Sequence, residues 1–229
     1  MAYKCVCFDF DGTLADTEAL MLKVYNEMAR RYRLEAIEPE AIGAIKEMAM
    51  ADVLRHLHIP VRRLGKLIRY GGKQLAARQD EIMPFYDQLG DFLTELRRWT
   101  LFCGILTSNT AKNVHAFLMR YDLNGYFDFL KCAAFFGKDR RLLRLCRQLH
   151  IRPSEMLYVG DEVRDIRACR RAGIDVAAVD WGYNTRASLA QAQPTYEVDT
   201  LEAIINIVKR HNARSLEAEI LRRMVIDDA

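Results

Sequence analysis

The sequence predicts an α/β fold in which helices cover both faces of a mostly parallel sheet. Apolar runs of strand length recur along the chain, and segments with helical periodicity separate them. One long interval near the N-terminus has helical patterns only, which indicates an inserted helical module. A chain of 229 residues is long enough for one such core with an insertion.

Five apolar runs are predicted to be buried strands. They span residues 3–10, 101–108, 127–135, 156–161 and 174–181. Between the last four runs, apolar residues recur every three or four positions, as in Leu142, Leu145 and Leu149, so we expect helices there. Continuous apolar strands that alternate with amphipathic helices are typical of a doubly wound, three-layer sheet.

Residues 16–83 interrupt this alternation, because helical patterns follow one another there without a strand. We therefore expect the α/β core to comprise residues 1–15 and 84–210, with a helical insertion between the two segments. The glycine pair at 71–72 is expected to break a helix inside the insertion. Residues 211–229 have an amphipathic pattern and predict a helical extension at the C-terminus.

Composition narrows the class of protein. The chain is 51% hydrophobic and 28% charged, with a formal net charge of +3, which is typical of a globular protein. No run approaches the roughly 20 apolar residues of a membrane helix, and no signal peptide is evident, so we expect a cytoplasmic protein with no membrane partner. Six cysteines without paired spacing predict free thiols in a reducing compartment.

Two acids, Asp9 and Asp11, end the first predicted strand, and Gly12 allows a sharp turn directly after them. Burying two neighbouring carboxylates is costly, since each also disfavours the charge of the other. A cation, hydrogen-bond donors or solvent must therefore compensate them. This stretch alone leaves a plain solvated Asp-Gly turn as an alternative.

Three further groups of polar residues follow predicted strands: Thr107, Ser108 and Asn109; Lys138; and Asp161, Glu162 and Asp165. The carboxyl ends of parallel strands meet at one edge of a sheet, where ligands of doubly wound folds bind. We therefore expect these side chains to converge with the two acids. Carboxylates, hydroxyls, an amide and a lysine suit an oxygen-ligated divalent cation together with a phosphate group.

The stretches "DFDGTLADT", "LTSN" and "GDEVRD", with Lys138 before the last, resemble in this order the four motifs of the haloacid dehalogenase-like (HAD) hydrolase superfamily. Within it, the chain looks most like phosphoglycolate-phosphatase-like members that carry a helical C1 cap. The resemblance covers about residues 3–200. It implies a Rossmann-like core with a small helical cap in the position of the insertion.

The resemblance also implies roles for the acids. Asp9 would be the nucleophile that forms an aspartyl-phosphate, and Asp11 would be the general acid and then the general base. Mg²⁺ would be held by the Asp9 carboxylate, the Asp11 backbone carbonyl and Asp161. Asp165, with Glu162, would orient the water ligands of the metal.

By the same resemblance, Thr107 and the backbone of Ser108 would bind phosphoryl oxygens, and Lys138 would link the nucleophile to the phosphate. Asn109, which precedes a predicted helix, is expected to add to this anion site. The expected activity is Mg²⁺-dependent hydrolysis of a small phosphate monoester, such as phosphoglycolate or a sugar phosphate. A phosphosugar mutase, a pyrophosphate or nucleotide phosphatase, and a regulatory binder on the same fold remain alternatives.

Charged residues of the insertion are candidates for substrate selection, although solvated helix charges would look the same. These candidates are Glu18, Lys46, Lys73 and Arg78. The arginines of residues 138–152 lie opposite the leucines and have no interleaved aromatic residues, so we do not expect nucleic-acid binding. The expected partner is a small phosphorylated metabolite, and the expected state is a monomer or homodimer.

Overall fold

The structure is a computed structural model that describes residues 2–48, 50–132 and 137–227. Its strands are β1 (Cys5–Phe8), β2 (Ala15–Asp16), β3 (Met83–Pro84), β4 (Phe102–Thr107), β5 (Phe129–Cys132), β6 (Met156–Gly160), β7 (Asp175–Val179) and β8 (Tyr196–Val198). Its helices are α1 (Glu18–Tyr32), α2 (Ile42–Lys46), α3 (Met50–His56), α4 (Val61–Ala76), α5 (Leu89–Arg97), α6 (Ala111–Arg120), α7 (Lys138–Gln148), α8 (Val163–Ala172), α9 (Arg186–Gln191) and α10 (Leu201–Asp227).

Six parallel strands form the main sheet in the order β5-β4-β1-β6-β7-β8. The chain builds outward from β1 through β4 to β5, then crosses back and builds outward through β6 and β7 to β8. The order therefore reverses beside β1, which is the point at which ligands of such sheets bind. The prediction of an α/β fold with a three-layer parallel sheet is confirmed.

Both faces of the sheet are buried, as the apolar character of its strands predicts. In β1, Val6 and Phe8 belong to one apolar core, whereas Cys5 and Cys7 belong to the other. This division follows from the alternation of side chains along a strand. Residues of α5, α6 and α10 cover the first face, and residues of α7, α8 and α9 cover the second.

Four helices, α1 to α4, lie between β2 and β3, which pair as a two-residue antiparallel ladder. The ladder joins Ala15 to Pro84 and Asp16 to Met83, so the chain enters and leaves this region at neighbouring points. The expected helix break at residues 71–72 is wrong, because α4 runs through both glycines. A Cβ atom on either glycine would meet its first neighbour at 3.8–4.0 Å, which is ordinary van der Waals contact, so neither position needs glycine for space.

Other elements differ from the expectations in extent. The run expected as a strand over 127–135 forms β5, and its residues 133–136 lie outside the described residues. The short strand β8 was not expected, since three residues carry too little pattern. Instead of a separate extension from residue 211, one continuous helix, α10, spans the expected boundary, because no glycine or proline interrupts it.

All six cysteines are free, and five of them are buried. Cys132 is the exposed one. Across the parts of the chain that the structure describes, no helix combines the length and apolar character that a membrane span requires.

Candidate active site

Asp9 lies directly after β1, at the edge where the strand order reverses, and is only 2% exposed. Its Oδ1 accepts a hydrogen bond from the Phe10 N–H at 2.8 Å, and its Oδ2 accepts one from Lys138 at 2.6 Å. The chain then turns at Gly12, where φ is +77°. A Cβ atom there would lie 2.1 Å from Asp161 Oδ2, so the turn needs glycine for space as well as for conformation.

Lys138 begins α7 and extends its ammonium into the buried centre of the site. Its Nζ donates to Asp9 at 2.6 Å, to Asp165 Oδ1 at 2.5 Å and to the Tyr158 hydroxyl at 2.8 Å. Burial alone would lower the pKa of the lysine, but Asp165 and Asp9 outweigh it and the net shift is upward. The ammonium therefore stays charged, with all three of its protons in hydrogen bonds.

Three carboxylates form what we call the acid cluster: Asp9, Asp161 and Asp165. Each offers an oxygen that lies within 4.8 Å of the others, and all three side chains are buried. Asp161 is held by the Thr13 hydroxyl at 2.7 Å on Oδ1 and by the Tyr183 N–H at 2.8 Å on Oδ2. Burial, followed by repulsion from neighbouring carboxylates, raises the pKa of Asp161 well above its ordinary value.

The acid cluster has the chemistry of a divalent cation site. Asp165 Oδ2 is buried and has no hydrogen-bond partner among the described residues. Burial also raises the pKa of Asp165, although Lys138 opposes the shift. A bound cation would satisfy the free oxygen and offset the repulsion, and Mg²⁺ prefers carboxylate oxygens. The residues present therefore fit the expected metal.

Asp11 lies beside the acid cluster with its carboxyl group directed at Asn109. Both of its oxygens accept hydrogen bonds from Asn109 Nδ2, at 3.0 and 3.1 Å. Burial and then the charge of Asp9 raise the pKa of Asp11 to about 7, while Asn109 and the Thr17 hydroxyl act in the opposite direction. This carboxyl group can thus hold or release a proton near neutral pH.

The polar residues at the C-terminal end of β4 lie at the same edge of the sheet. Thr107 is fully buried, and its Oγ1 accepts the Asn109 N–H at 3.0 Å. Ser108 is half-buried between them. Thr110 then caps α6 by accepting the Asn113 N–H. The "LTSN" stretch thus places the Asn109 amide in contact with Asp11, and the Thr107 hydroxyl in contact with Asn109.

Glu162, directly after Asp161, is buried and accepts a hydrogen bond from Arg164 at 2.5 Å. The Arg164 guanidinium is close enough to the site to lower the pKa of Asp11 and Asp165. Arg164 therefore adds a second cation beside Lys138. No signal in the sequence singled out this arginine, because α8 carries three others, Arg167, Arg170 and Arg171.

The charged candidates of the insertion have ordinary ion-pair partners in two cases. Lys46 lies 2.8 Å from Glu18, with both side chains about one-third exposed. One guanidinium nitrogen of Arg78 donates to both carboxylate oxygens of Glu27. Lys73 is exposed. Lys46, at the end of α2, thus contacts the start of α1 at Glu18, the residue after Thr17.

Two tyrosines that support the site were not among the predicted site residues. Tyr158 precedes the "GDEVRD" stretch in β6 and bridges Lys138 to the Leu106 carbonyl, to which it donates at 3.0 Å. Tyr183 holds Asp161, and its hydroxyl lies 2.6 Å from that of Thr17. The alternation of side chains along β6 could have indicated that Tyr158 faces Lys138. Tyr183 lies in a loop without a regular pattern, so no such signal was available for it.

Comparison with known proteins places this geometry in a family. A family model described as haloacid dehalogenase-like hydrolase matches residues 6–179. A phosphoglycolate phosphatase of Synechococcus elongatus is 29% identical over 212 residues, covering 90% of this chain and 100% of the relative. The pyrophosphatase PpaX of Bacillus mycoides is 24% identical over 216 residues, covering 93% of this chain and 100% of that protein.

The fold is also found among solved structures. The crystal structure of a predicted phosphatase from Clostridium acetobutylicum superposes with a TM-score of 0.78 at 18% identity. It covers 92% of this chain and 100% of its own. The expected enzyme class, a phosphatase of the HAD superfamily, is confirmed by these matches together with the family match. The chain belongs to the haloacid dehalogenase-like hydrolase family.

Proposed function

We propose that the protein hydrolyses a small phosphate monoester through an aspartyl-phosphate on Asp9, with Mg²⁺ as its cofactor. The observation that carries the proposal is the arrangement around this carboxylate. One oxygen of Asp9 is bonded to Lys138, two further carboxylates lie close enough to share a metal ion, and Asp11 stands beside it with a raised pKa. Phosphoryl transfer needs positioning and charge neutralisation, and this site offers both.

The acid cluster would hold Mg²⁺ through Asp9 and Asp161, together with the backbone carbonyl of Asp11. Asp165 lies within reach of the same position, and Glu162 would support it. When bound, the ion would neutralise negative charge on the phosphoryl group and polarise it toward attack. The positively charged Lys138, which donates to Asp9, would neutralise further negative charge at the site.

In the first step, an oxygen of Asp9 attacks phosphorus, so that an Asp9 O–P bond forms and the ester O–P bond breaks. Asp11 gives its proton to the departing ester oxygen. In the second step, a water attacks the same phosphorus, Asp11 takes the proton of that water, and the Asp9 O–P bond breaks to release inorganic phosphate. A pKa near 7 suits both proton transfers.

Thr107, Ser108 and Asn109 would receive the phosphoryl oxygens, since they lie at the C-terminal end of β4, at the edge that carries Asp9. Helices α1 to α4, within residues 16–83, would form a cap that closes over this edge from the core of residues 1–15 and 84–210. Closure of such a cap excludes water and selects the leaving group. Lys46 is a candidate for contact with an acidic substrate group.

The substrate class follows from the relatives and from the charges of the site. A phosphoglycolate phosphatase and a pyrophosphatase are both similar to this chain along nearly its whole length. Phosphoglycolate or a sugar phosphate is the first choice, and pyrophosphate is the second because of that similarity.

The six free thiols suit a reducing compartment, so the proposed location is the cytoplasm. The proposed partner is a small metabolite, and the proposed working state is a monomer or homodimer.

The test is a phosphate-release assay with phosphoglycolate, sugar phosphates, nucleotides and pyrophosphate, each with Mg²⁺ and with a chelator. Asp9→Asn should abolish release from every substrate that the wild type hydrolyses. Asp139→Asn is the matched control, because Asp139 pairs with Arg171 on the surface of α7 and should leave release unchanged. Equal turnover by Asp9→Asn would remove Asp9 from the mechanism, and turnover that appears only with an added sugar bisphosphate would favour a mutase.

A further inference from the structure

Asn184 lies in a loop that follows β7 and contacts both the helical insertion and the active site. We call residues 182–185 the core loop, and we call residues 46–48, which comprise the last residue of α2 and the two that follow it, the insertion loop. Asn184 is 6% exposed. Its Nδ2 donates to the Lys46 carbonyl at 2.7 Å and to the Met48 carbonyl at 3.2 Å, and the Thr185 N–H donates to the same Lys46 carbonyl at 3.2 Å.

The other end of the Asn184 side chain reaches α8. Its Oδ1 accepts the N–H of Val163 at 2.9 Å, two residues before Asp165 of the acid cluster. The side chain can have only this orientation, because its donor group meets two carbonyls and its acceptor meets an N–H. One buried amide therefore joins the insertion loop to the helix that carries part of the proposed metal site.

The rest of the core loop is tied to the same site. Tyr183 donates its N–H to Asp161 at 2.8 Å, and its hydroxyl meets that of Thr17. The Thr17 hydroxyl in turn acts on the carboxyl group of Asp11. A shift of the core loop would therefore displace groups that contact Asp161, a proposed metal ligand, and Asp11, the proposed proton donor.

Within the described residues, the hydrogen bonds between the insertion loop and the core come from Asn184 and Thr185. A cavity of about 630 Å³ separates α3 from α8 and α9, with Asp52 and Arg55 on one side and Arg167 and Gln191 on the other. The polar contacts of Asn184 and Thr185 are thus the directional bonds at this edge of the insertion. The insertion loop carries Lys46, whose ammonium bonds Glu18 next to Thr17.

We propose that Asn184 is a positioning residue that holds the insertion loop, and Lys46 with it, over the active site in the arrangement that binds substrate. The proposal rests on the phosphatase function proposed above. Loss of the two donated bonds shifts the insertion toward an open arrangement. Because the apparent affinity for a ligand falls with the fraction of competent molecules, KM rises while kcat changes little.

Asn184→Asp is the sharpest variant, because it replaces one atom group. The carboxylate still accepts the Val163 N–H, but its second oxygen now faces the carbonyls of Lys46 and Met48 and repels them. Asn212→Asp is the matched control: Asn212 accepts the Tyr3 N–H at 2.7 Å and donates to two backbone carbonyls, of Tyr3 and Trp99, far from the insertion. Both variants lose the same kind of bonds.

The first measurement is amide hydrogen exchange across residues 42–56, without substrate. Asn184→Asp should speed exchange there by about tenfold, since each lost bond is worth a factor of a few. Asn212→Asp should leave this segment as in the wild type, whatever its effect on overall stability. Equal exchange in the wild type and Asn184→Asp, or an equal increase in both variants, would overturn the proposal.

The second measurement is steady-state hydrolysis of p-nitrophenyl phosphate and of phosphoglycolate with Mg²⁺. Asn184→Asp should raise KM about tenfold and keep kcat within about twofold. Faster exchange with an unchanged KM also overturns the proposal, since the loop would then have no effect on substrate binding. If the wild type hydrolyses neither ester, the proposed function fails on these substrates, and exchange alone decides whether Asn184 holds the loop.

Discussion

Replacing Lys138 with Met should destabilise the protein strongly at neutral pH. Methionine has a similar length and keeps most of the packing, but it removes the ammonium from the centre of the site. Asp9 and Asp165 then stay buried without the cation that they contact at 2.6 and 2.5 Å. The Tyr158 hydroxyl loses its bond to the ammonium as well.

The size of the expected loss in stability follows from the burial of the Lys138–Asp165 ion pair. Removing one partner of a buried ion pair costs about 3–5 kcal/mol, because the remaining charge is left uncompensated. The Lys138 side chain is 9% exposed and that of Asp165 is 0% exposed, so solvent cannot replace the ammonium. With an m-value of roughly 2–3 kcal/mol per molar urea, the midpoint of unfolding should fall by about 1–2 M.

The assay is urea unfolding followed by circular dichroism at several pH values, without divalent ions. Without Lys138, the already raised pKa of Asp165 rises further, so the folded variant binds its proton more tightly than the unfolded chain does. The variant should therefore regain stability as the pH falls through that raised pKa toward the ordinary carboxyl pKa. Lys4→Met is the control: Lys4 is 41% exposed beside Glu155, so its loss should cost less than about 1 kcal/mol. Similar midpoints for the two variants would refute this reasoning.

Three further predictions concern the site and its support. In Asp11→Asn without metal, the decline in stability between the ordinary carboxyl pKa and about pH 7 should be smaller than in the wild type, since folded Asp11 binds a proton more tightly than unfolded Asp11 does. Unfolding at several pH values measures this. In Asp128→Asn, stability should fall at neutral pH and match that of the wild type in acid. Burial raises the pKa of Asp128, but Arg97 and backbone hydrogen bonds lower it more, so the net shift is downward. The charged carboxylate therefore stabilises the fold above the ordinary carboxyl pKa, and this contribution is lost as the pH falls. Gly12→Ala should abolish phosphate release, because its Cβ would push into the acid cluster, whereas Gly43→Ala, with nothing within 4 Å, should leave release unchanged.

Much of the site could be predicted because its residues follow regular strands. Apolar strands place their ends at one edge of a parallel sheet, so Asp9, Lys138 and Asp161 could be expected to meet even though they are far apart in sequence. The structure brings Lys138 into contact with Asp9, and Asp161 into the acid cluster. The pattern of the strands and the motif spacing were sufficient for this part.

The contacts of the core loop could not be predicted in the same way. Asn184 and Tyr183 belong to a segment without periodicity, and their partners come from the helical insertion and from α8. Such contacts depend on how separate parts of the chain pack together. The glycine pair in α4 failed as a break for a related reason, since α4 packs against α1 and tertiary contacts can override the low helix propensity of glycine.

The two-residue ladder between β2 and β3 has an evolutionary consequence. Because Ala15 lies opposite Pro84, the ends of the intervening segment are only about 5 Å apart, the spacing of paired strands. Lineages could therefore exchange one such segment for a longer or shorter one without rebuilding the sheet or its catalytic edge. A transplanted segment would still have to offer two carbonyl groups to Asn184, which limits the donors that could function on this scaffold.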